Sequence, residues 1–131
     1  MEIKKYVLLN DYNLILDSKN EEELRVIHYK DGDVLKVVVD NWYYPLEKLD
    51  YKTSDNILDL VEVGDLVMSD DYVGALKVLS NTKHYFRTYH AIVARKNVKA
   101  IYKRQSNGDY KRYDVSEKIW AMKSSNCMSK A

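Results

Sequence analysis

The chain has 131 residues, of which 46% are hydrophobic and 31% are charged, a balance that excludes a disordered protein and fits one globular domain. Apolar runs such as residues 37–39 and 91–94 fall far short of the roughly 20 residues that span a bilayer, which excludes a helical membrane protein. The apolar run after Lys4 and Lys5 is too short for a signal peptide. We therefore expect a cytoplasmic protein without a membrane partner, and the single cysteine, Cys127, excludes an internal disulfide.

The charges are divided unevenly along the chain, although the net charge is only +1. Residues 1–82 contain 9 basic and 17 acidic residues, whereas residues 83–131 contain 12 basic and 3 acidic residues. Two interpretations remain open. Either acidic and basic strands neutralise each other within one sheet, or one surface is basic and attracts an anionic partner.

Two hairpins are predicted in the first third of the chain. The segments EIKKYVLL and YNLILD flank Asn10 and Asp11, which are favourable turn residues. The segments EELRVIHYK and VLKVVVD flank residues 31–33, whose Asp-Gly pair is a strong hairpin signal. Pro45 has no backbone N–H to donate, so the segment NWYYPLEKL is predicted to be an edge strand or a break.

The stretch KTSDNILDLVEVGDLV, residues 52–67, combines four carboxylates with apolar residues at helical spacing. We interpret it as a structural joint in which Ser54 caps one or two helical turns over residues 55–61, with the apolar side chains toward a core. Asp55 and Asp59 are expected to face solvent, and a Gly-Asp turn then leads into the next strand. No metal site is predicted here, because the stretch lacks the calcium-loop pattern.

Further strands are predicted in the segments YVGALKVLS, TYHAIVARK and VKAIYKR, followed by a hairpin in QSNGDYKRYDV across Asn107 and Gly108. Ser116 is expected to cap a short helix, and residues 124–131 are expected to form a frayed tail. The regular spacing of short strands predicts a mainly β single domain over residues 1–131. The pattern predicts a small SH3-like or OB-like barrel with an N-terminal β extension and one or two short helices.

The terminal hairpin is strongly basic. A two-residue turn places like charges directly opposite each other, which destabilises a sheet; the predicted pairs are Arg104 with Lys111, Lys103 with Arg112 and Tyr102 with Tyr113. Compensation is expected from one of two sources. One is an acidic neighbour within the protein, with Glu21, Glu22, Glu23 and Asp109 as candidates, and the other is a bound anion such as nucleic-acid phosphate, a nucleotide or an acidic protein surface.

The segment HYFRTYH is a second candidate for ligand binding. As a strand it places Tyr85, Arg87 and Tyr89 on one face, a set that can stack on unpaired bases. Tyrosine is also common on half-buried strands, so a purely structural role stands beside this hypothesis. His84 and His90 have no third ligand fixed by their spacing, and no metal site or cofactor is predicted.

Three segments of the chain, KKYVLLND, KTSDNILDLVEVGDLV and AIYKRQSNGDYKRYDV, together resemble small uncharacterised proteins encoded by phages and mobile elements of Gram-positive bacteria. The similarity covers about 40 residues, which are turn and strand residues and carry no catalytic role. The resemblance implies the cytoplasm of a bacterial host cell, where small accessory proteins of this kind bind host factors.

No enzyme signature is present, since the sequence has no glycine-rich phosphate loop, no His-x-x-x-His helix and no nucleophile elbow. We predict a non-enzymatic protein that binds a host protein or protein complex, for example as an inhibitor of a bacterial defence system. The alternative is a nucleic-acid- or nucleotide-binding barrel with a basic aromatic face formed by Tyr85, Arg87, Tyr89, Lys103, Arg104, Lys111 and Arg112. A continuous basic face with exposed rings favours nucleic acid, whereas an acidic or apolar patch favours a protein partner. The sequence leaves the oligomeric state open.

Overall fold

The computed structural model describes residues 3–39 and 41–115, which form two compact units that divide after Leu60. The predicted mainly β fold is confirmed, because the described residues contain twelve strands and three short 3-10 helices. The prediction of one domain over the whole chain stays a prediction. The predicted helix at Ser116 and the predicted tail of residues 124–131 lie outside the described residues. Within the described ranges, no helix has the length and apolar character needed to cross a membrane.

The first unit is built from six strands: β1 (Tyr6–Leu9), β2 (Leu14–Asp17), β3 (Leu24–Tyr29), β4 (Gly32–Val39), β5 (Trp42–Pro45) and β6 (Tyr51–Ser54). They form two antiparallel three-stranded sheets with the strand orders β2-β1-β6 and β3-β4-β5. The part of the chain predicted as an N-terminal β extension is therefore a compact unit with two sheets of its own.

Turn chemistry explains both predicted hairpins of the first unit. β1 and β2 form the predicted hairpin, but residues 10–13 join them, two residues more than the predicted turn at Asn10 and Asp11, and Asn13 adopts a φ of 50°, which asparagine tolerates better than most residues. β3 and β4 are joined by a two-residue turn, residues 30–31, since Tyr29 pairs with Gly32. The second turn therefore begins one residue earlier than predicted, and the glycine, with a φ of 130°, begins β4.

The core of the first unit comes from alternate positions of its strands. Val7 and Leu9 are fully buried and lie on the same face of β1, as the alternation of side chains along a strand requires. The other buried members of this cluster are Leu16, Leu24, Val37, Val39 and Leu46. Pro45 ends β5 at the edge of its sheet, as predicted, where its missing N–H does not interrupt the ladder.

The predicted joint contains a helix that is shorter than predicted. A 3-10 helix covers Ile57–Leu60, and its three apolar residues are all buried. The side chain of Asn56 caps it by accepting the N–H of Leu58 at 3.0 Å. Ser54, the predicted cap, instead accepts the N–H of Asn56 at 3.1 Å. Each of these two short polar side chains therefore accepts a backbone N–H two residues further along the chain.

The second unit is built from six further strands: β7 (Leu66–Ser69), β8 (Ala75–Asn81), β9 (Tyr85–Thr88), β10 (Ile92–Ala94), β11 (Val98–Arg104) and β12 (Tyr110–Asp114). They form one antiparallel sheet with the order β10-β9-β8-β7-β11-β12. A barrel requires the first and last strands of a sheet to hydrogen-bond to each other. β10 and β12 do not pair, and the three sheets of the described residues are all open, so the predicted barrel is wrong.

One face of the six-stranded sheet is buried. Val67 of β7 pairs with Ile101 of β11, and both are almost completely buried, as is Phe86 of β9. Register shifts at residues 78–80 of β8 and 98–100 of β11 add local bends to the sheet. The opposite side, called the open face below, carries the strand residues that alternate with these buried ones.

Candidate functional site

The register of the terminal hairpin differs from the predicted register by one residue. β11 and β12 are joined by a three-residue loop, residues 106–108, because the N–H of Gln105 donates to the carbonyl of Asp109 at 2.7 Å. The N–H of Gly108 donates to the carbonyl of Gln105 at 2.9 Å, and its φ of 92° is the left-handed conformation that such loops need at this position. The predicted two-residue turn is therefore wrong.

This shift changes which side chains face each other and which face of the sheet they occupy, because side chains alternate along a strand. The observed pairs are Tyr102 with Arg112, Lys103 with Lys111 and Arg104 with Tyr110, in place of the predicted pairs Arg104 with Lys111, Lys103 with Arg112 and Tyr102 with Tyr113. Lys103 and Lys111 lie on the side of Ile101, which is the buried face. Arg104 and Arg112 lie on the open face.

Lys103 is an interior residue rather than part of an exposed anion site. Its side chain has no exposed area, and its Nζ lies 2.6 Å from Oδ2 of Asp65 and 3.4 Å from Oε1 of Glu62. The Asp65 side chain is only 6% exposed and also accepts the N–H of Glu62 at 2.8 Å. Burial raises the pKa of the Asp65 carboxyl above its ordinary value, while the hydrogen bond from Lys103 opposes that change.

The compensating acidic groups therefore come from the predicted joint. Glu62 and Asp65 precede β7, and their carboxylates pair with Lys103, whose partner across the hairpin is the like-charged Lys111. The carboxylates predicted for this role were those of Glu21, Glu22, Glu23 and Asp109, whereas Lys103 pairs with Glu62 and Asp65. A stretch interpreted as a joint thus also supplies a buried ion pair, and this pair holds residues 62–65 against β11.

Cationic and aromatic side chains alternate on the open face. One row of paired residues crosses four strands and consists of Lys77, Leu66, Tyr102 and Arg112. In the next row toward the hairpin loop, Arg104 pairs with Tyr110, whose side chain is 45% exposed. Arginine and tyrosine therefore alternate both along and across β11 and β12.

Arg112 is held in position by two neighbours. Its Nη1 donates to Oη of Tyr102 at 3.1 Å, and its Nε donates to Oδ1 of Asp114 at 2.8 Å. The guanidinium carbon lies 5.8 Å from the centre of the Tyr102 ring, a cation–π distance. The hydrogen bond to Asp114 raises the pKa of Arg112 above its ordinary value, so the guanidinium stays charged. The open face thus carries a fixed cation beside a flat ring.

β9 brings two of the three residues of the predicted stacking platform to the open face. Tyr85 and Arg87 are exposed, and they alternate with Phe86 and Thr88, which are buried. Tyr89 lies beyond the end of β9 and is 75% exposed, so it does not continue the strand face. The predicted line of three side chains is therefore reduced to two on the strand and one in the loop that follows.

Four of the seven predicted site residues lie on the open face: Tyr85, Arg87, Arg104 and Arg112. Lys103 and Lys111 belong to the opposite side, and Tyr89 belongs to a loop. The register adds three residues that were not predicted: Lys77, Tyr102 and Tyr110. Pairing of Val78 with Thr88 on the buried face places Lys77 and Arg87 on the same, open side.

The open face is mainly cationic. The strand register assigns it five charged residues, which are Lys77, Arg87, Arg104, Arg112 and Asp114. The one acidic residue is already bonded to Arg112. With the rings of Tyr85, Tyr102 and Tyr110 between the cations, this face suits a ligand that carries both negative charges and flat rings.

The carboxylates of the predicted joint that face solvent serve local structure. Asp55 and Asp59 are exposed, as predicted, and Oδ2 of Asp59 accepts the hydroxyl of Ser54 at 2.8 Å. Oδ1 of Asp55 accepts the N–H of Lys5 at 3.2 Å. Among the described residues, no group of three or more His, Cys, Asp or Glu side chains is arranged to hold a metal ion.

We expect Asp59→Asn to change the free energy of unfolding by no more than about 0.5 kcal/mol, because an exposed asparagine keeps an oxygen that accepts the Ser54 hydroxyl. Urea denaturation measures this change, and metal analysis of both proteins accompanies it. A stoichiometric metal in the wild type that is lost in the variant would contradict a local structural role for Asp59.

Comparison of the chain with protein-family models, with curated proteins and with solved structures finds no match.

Proposed function

We propose that the chain is a non-enzymatic binding protein whose open face holds single-stranded nucleic acid. The observation that carries this proposal is the alternation of Arg104, Tyr110, Tyr102 and Arg112 on β11 and β12, with Arg87 and Tyr85 on the same face of β9. Guanidinium groups bind phosphate oxygens, and exposed rings stack on bases.

An unpaired strand fits this face better than a duplex does. The bases of a duplex are stacked on each other and present only their edges, so rings on a sheet surface have no base plane to contact. Sheets that bind single strands use aromatic residues on one open surface, with cations placed for the phosphates. The Tyr110 ring, which is 45% exposed on an edge strand, is the best placed of the three for a base.

A host protein is the second candidate partner. The first unit exposes several large apolar side chains on its β3-β4-β5 sheet, namely Val26, Tyr29, Trp42 and Tyr43. Exposed apolar groups of this size favour contact with another protein surface. In the phage or mobile-element setting that the sequence resemblance implies, the host partner is a protein complex of the bacterial cytoplasm, and inhibition of a defence system is one such role.

Arg112→Ala is expected to weaken binding of a fluorescein-labelled oligothymidylate about 3- to 10-fold at low salt, because it removes one phosphate contact from the open face. The slope of log affinity against log salt should fall by about 0.7. Fluorescence anisotropy across a salt series measures both quantities. Lys111→Ala is the matched control, since Lys111 is an exposed cation on the same strand but on the opposite side of the sheet.

Equal losses in the two variants would show that net charge matters and the open face does not. Unchanged affinity in both Arg112→Ala and Arg87→Ala would contradict nucleic-acid binding by the open face. A host protein would then be the remaining candidate partner. Loss in both arginine variants, with Lys111→Ala unchanged, supports the proposal.

A further inference from the structure

The cations of the open face are spread across the strands of the six-stranded sheet. Arg112 lies on β12, and Lys77 on β8 belongs to the same row of paired residues. Arg87 lies on β9, the next strand beyond β8. The order β12-β11-β7-β8-β9 separates Arg112 from Arg87 by about 19 Å at the usual spacing of neighbouring strands. A line of positive charge therefore crosses the sheet from β12 to β9.

Carboxylates flank the cations along β12 itself. Asp109 directly precedes this strand and Asp114 is its last residue, and both are exposed. Asp114 is bonded to Arg112, but a phosphate placed farther along β12 still meets that carboxylate. Residues 72–108, in contrast, contain no acidic residue, and this segment includes β8, β9 and β10. Because like charges repel, a chain of phosphates is favoured across the sheet and disfavoured along β12.

The central strand of this line, β7, contains no acidic residue. Its residue in the row is Leu66, which is half-buried. Glu62 and Asp65, which precede β7, pair with Lys103 of the buried face. Asp70 follows the last residue of β7, at its other end. The acidic residues around β7 thus lie beyond its two ends, and the row itself is apolar at this strand.

Exposed rings stand at both ends of the line. Tyr110 is 45% exposed on β12, and Tyr85 is 39% exposed on β9. β7 and β8, which lie between them, contain no aromatic residue. Stacking on bases is therefore available at the two ends, whereas Lys77 between them suits a phosphate.

We propose that single-stranded nucleic acid crosses the open face approximately at right angles to the β-strands, with one end on β12 and the other on β9. A distance of about 19 Å corresponds to roughly three to four internucleotide intervals of an extended strand. The shortest ligand that contacts both Arg112 and Arg87 then has about five nucleotides, near the lower end of the site sizes of small β domains. This inference rests on the proposed function and adds to it the direction and the minimum length of the ligand.

Oligothymidylates of two lengths test this path, because only the longer one reaches both ends. Arg87→Ala should weaken binding of a dodecathymidylate about 3- to 10-fold and leave a trithymidylate within about twofold of the wild type, whereas Arg112→Ala should weaken both. Competition measured by fluorescence anisotropy gives the affinities. Amide shifts of the ¹⁵N-labelled chain provide a readout that does not need tight binding: the trimer should shift β11 and β12, and the dodecamer should also shift β9.

Two further variants accompany this test. Lys77→Ala, between the two ends, should follow Arg87→Ala, whereas Lys111→Ala, an exposed cation on the opposite side of the sheet, should be silent at both lengths. Thermal melts check that each variant is folded. If the dodecamer depends on Arg112 but not on Arg87 or Lys77, the ligand does not cross the sheet, although the proposed function stands. Equal losses of the trimer in both arginine variants would also contradict the crossing. A dodecamer that does not bind at low salt would overturn both the path and the proposed function.

Discussion

Lys103→Ala is expected to lower the free energy of unfolding by about 3–5 kcal/mol at neutral pH. The reason is the carboxylate that the change leaves behind. Asp65 is almost fully buried, and the Nζ of Lys103 lies 2.6 Å from its carboxylate. Removal of the lysine therefore leaves an unpaired negative charge with little access to water. Urea denaturation followed by circular dichroism measures the effect, which is a large fraction of the stability of a domain this size.

The loss should depend on pH with a definite sign. Burial already raises the pKa of Asp65, and loss of the Lys103 charge raises it further. A carboxyl whose pKa is higher in the folded state than in the unfolded state favours folding below its unfolded pKa and loses that contribution as pH rises through the folded pKa. The variant should therefore lie closer to the wild type at about pH 4 than at pH 7.

A second variant distinguishes the cost of the unpaired Asp65 charge from the cost of lost side-chain packing. Lys103→Met combined with Asp65→Asn removes both charges and keeps most of the volume, so it should recover a large part of the stability at pH 7. Lys111 is the exposed partner of Lys103 across the hairpin. Lys111→Ala should therefore change the free energy of unfolding by less than about 0.5 kcal/mol. A Lys103→Ala variant as stable as the wild type would contradict the buried ion pair.

Tyr110→Ala is expected to reduce affinity for an oligothymidylate by about 1–3 kcal/mol, roughly 5- to 150-fold, because stacking of one base on a tyrosine is lost. The change should have little effect on folding, since Tyr110 is at the exposed end of an edge strand. Fluorescence anisotropy measures the affinity, and a thermal melt of the free variant checks that it is folded.

Two controls make the stacking interpretation specific. Tyr110→Phe keeps the ring and should keep most of the affinity, and Tyr43→Ala removes an equally exposed tyrosine from the first unit and should not alter binding. If Tyr110→Ala binds the oligonucleotide as well as the wild type does, or if Tyr43→Ala loses as much affinity, Tyr110 does not stack on a base.

The sequence was most informative about local structure. Turn residues such as Asn10 and Pro45 and the alternation of apolar residues were enough to predict the mainly β class and the hairpins. The buried turn after Asn56 was also predictable, because Ile57, Leu58 and Leu60 recur at helical spacing. These features depend on chemistry within a few residues along the chain.

Features that depend on one residue of register or on distant contacts were not predicted correctly. The Asn-Gly pair favours a two-residue turn, but the loop includes Ser106, and that single position moves Arg112 from the predicted place opposite Lys103 to a place opposite Tyr102 on the open face. The alternation of side chains along a strand was nevertheless informative, since Lys103 follows Ile101 by two residues and should therefore lie on the same face of β11. Its partner Asp65 lies 38 residues away along the chain, and no local pattern identifies it.

Barrel closure is another property that local patterns do not determine. Strand existence follows from composition, whereas closure depends on whether β10 and β12 reach each other, and β10 has only three residues. The open face itself was half predicted: Arg87 and Arg112 were identified from their charge, while Tyr102 and Tyr110 became candidates only once the register placed them between the arginines.

The most direct test of the proposed function is a titration of the ¹⁵N-labelled full chain with an oligothymidylate of about 12 nucleotides, a length within the range that one small β domain covers. Amide signals of β9, β11 and β12 should shift together and saturate, with the largest changes around Arg87, Arg104, Tyr110 and Arg112. Signals of β3, β4 and β5 should stay in place. Absence of any shift at low salt, or shifts confined to the first unit, would contradict nucleic-acid binding by the open face.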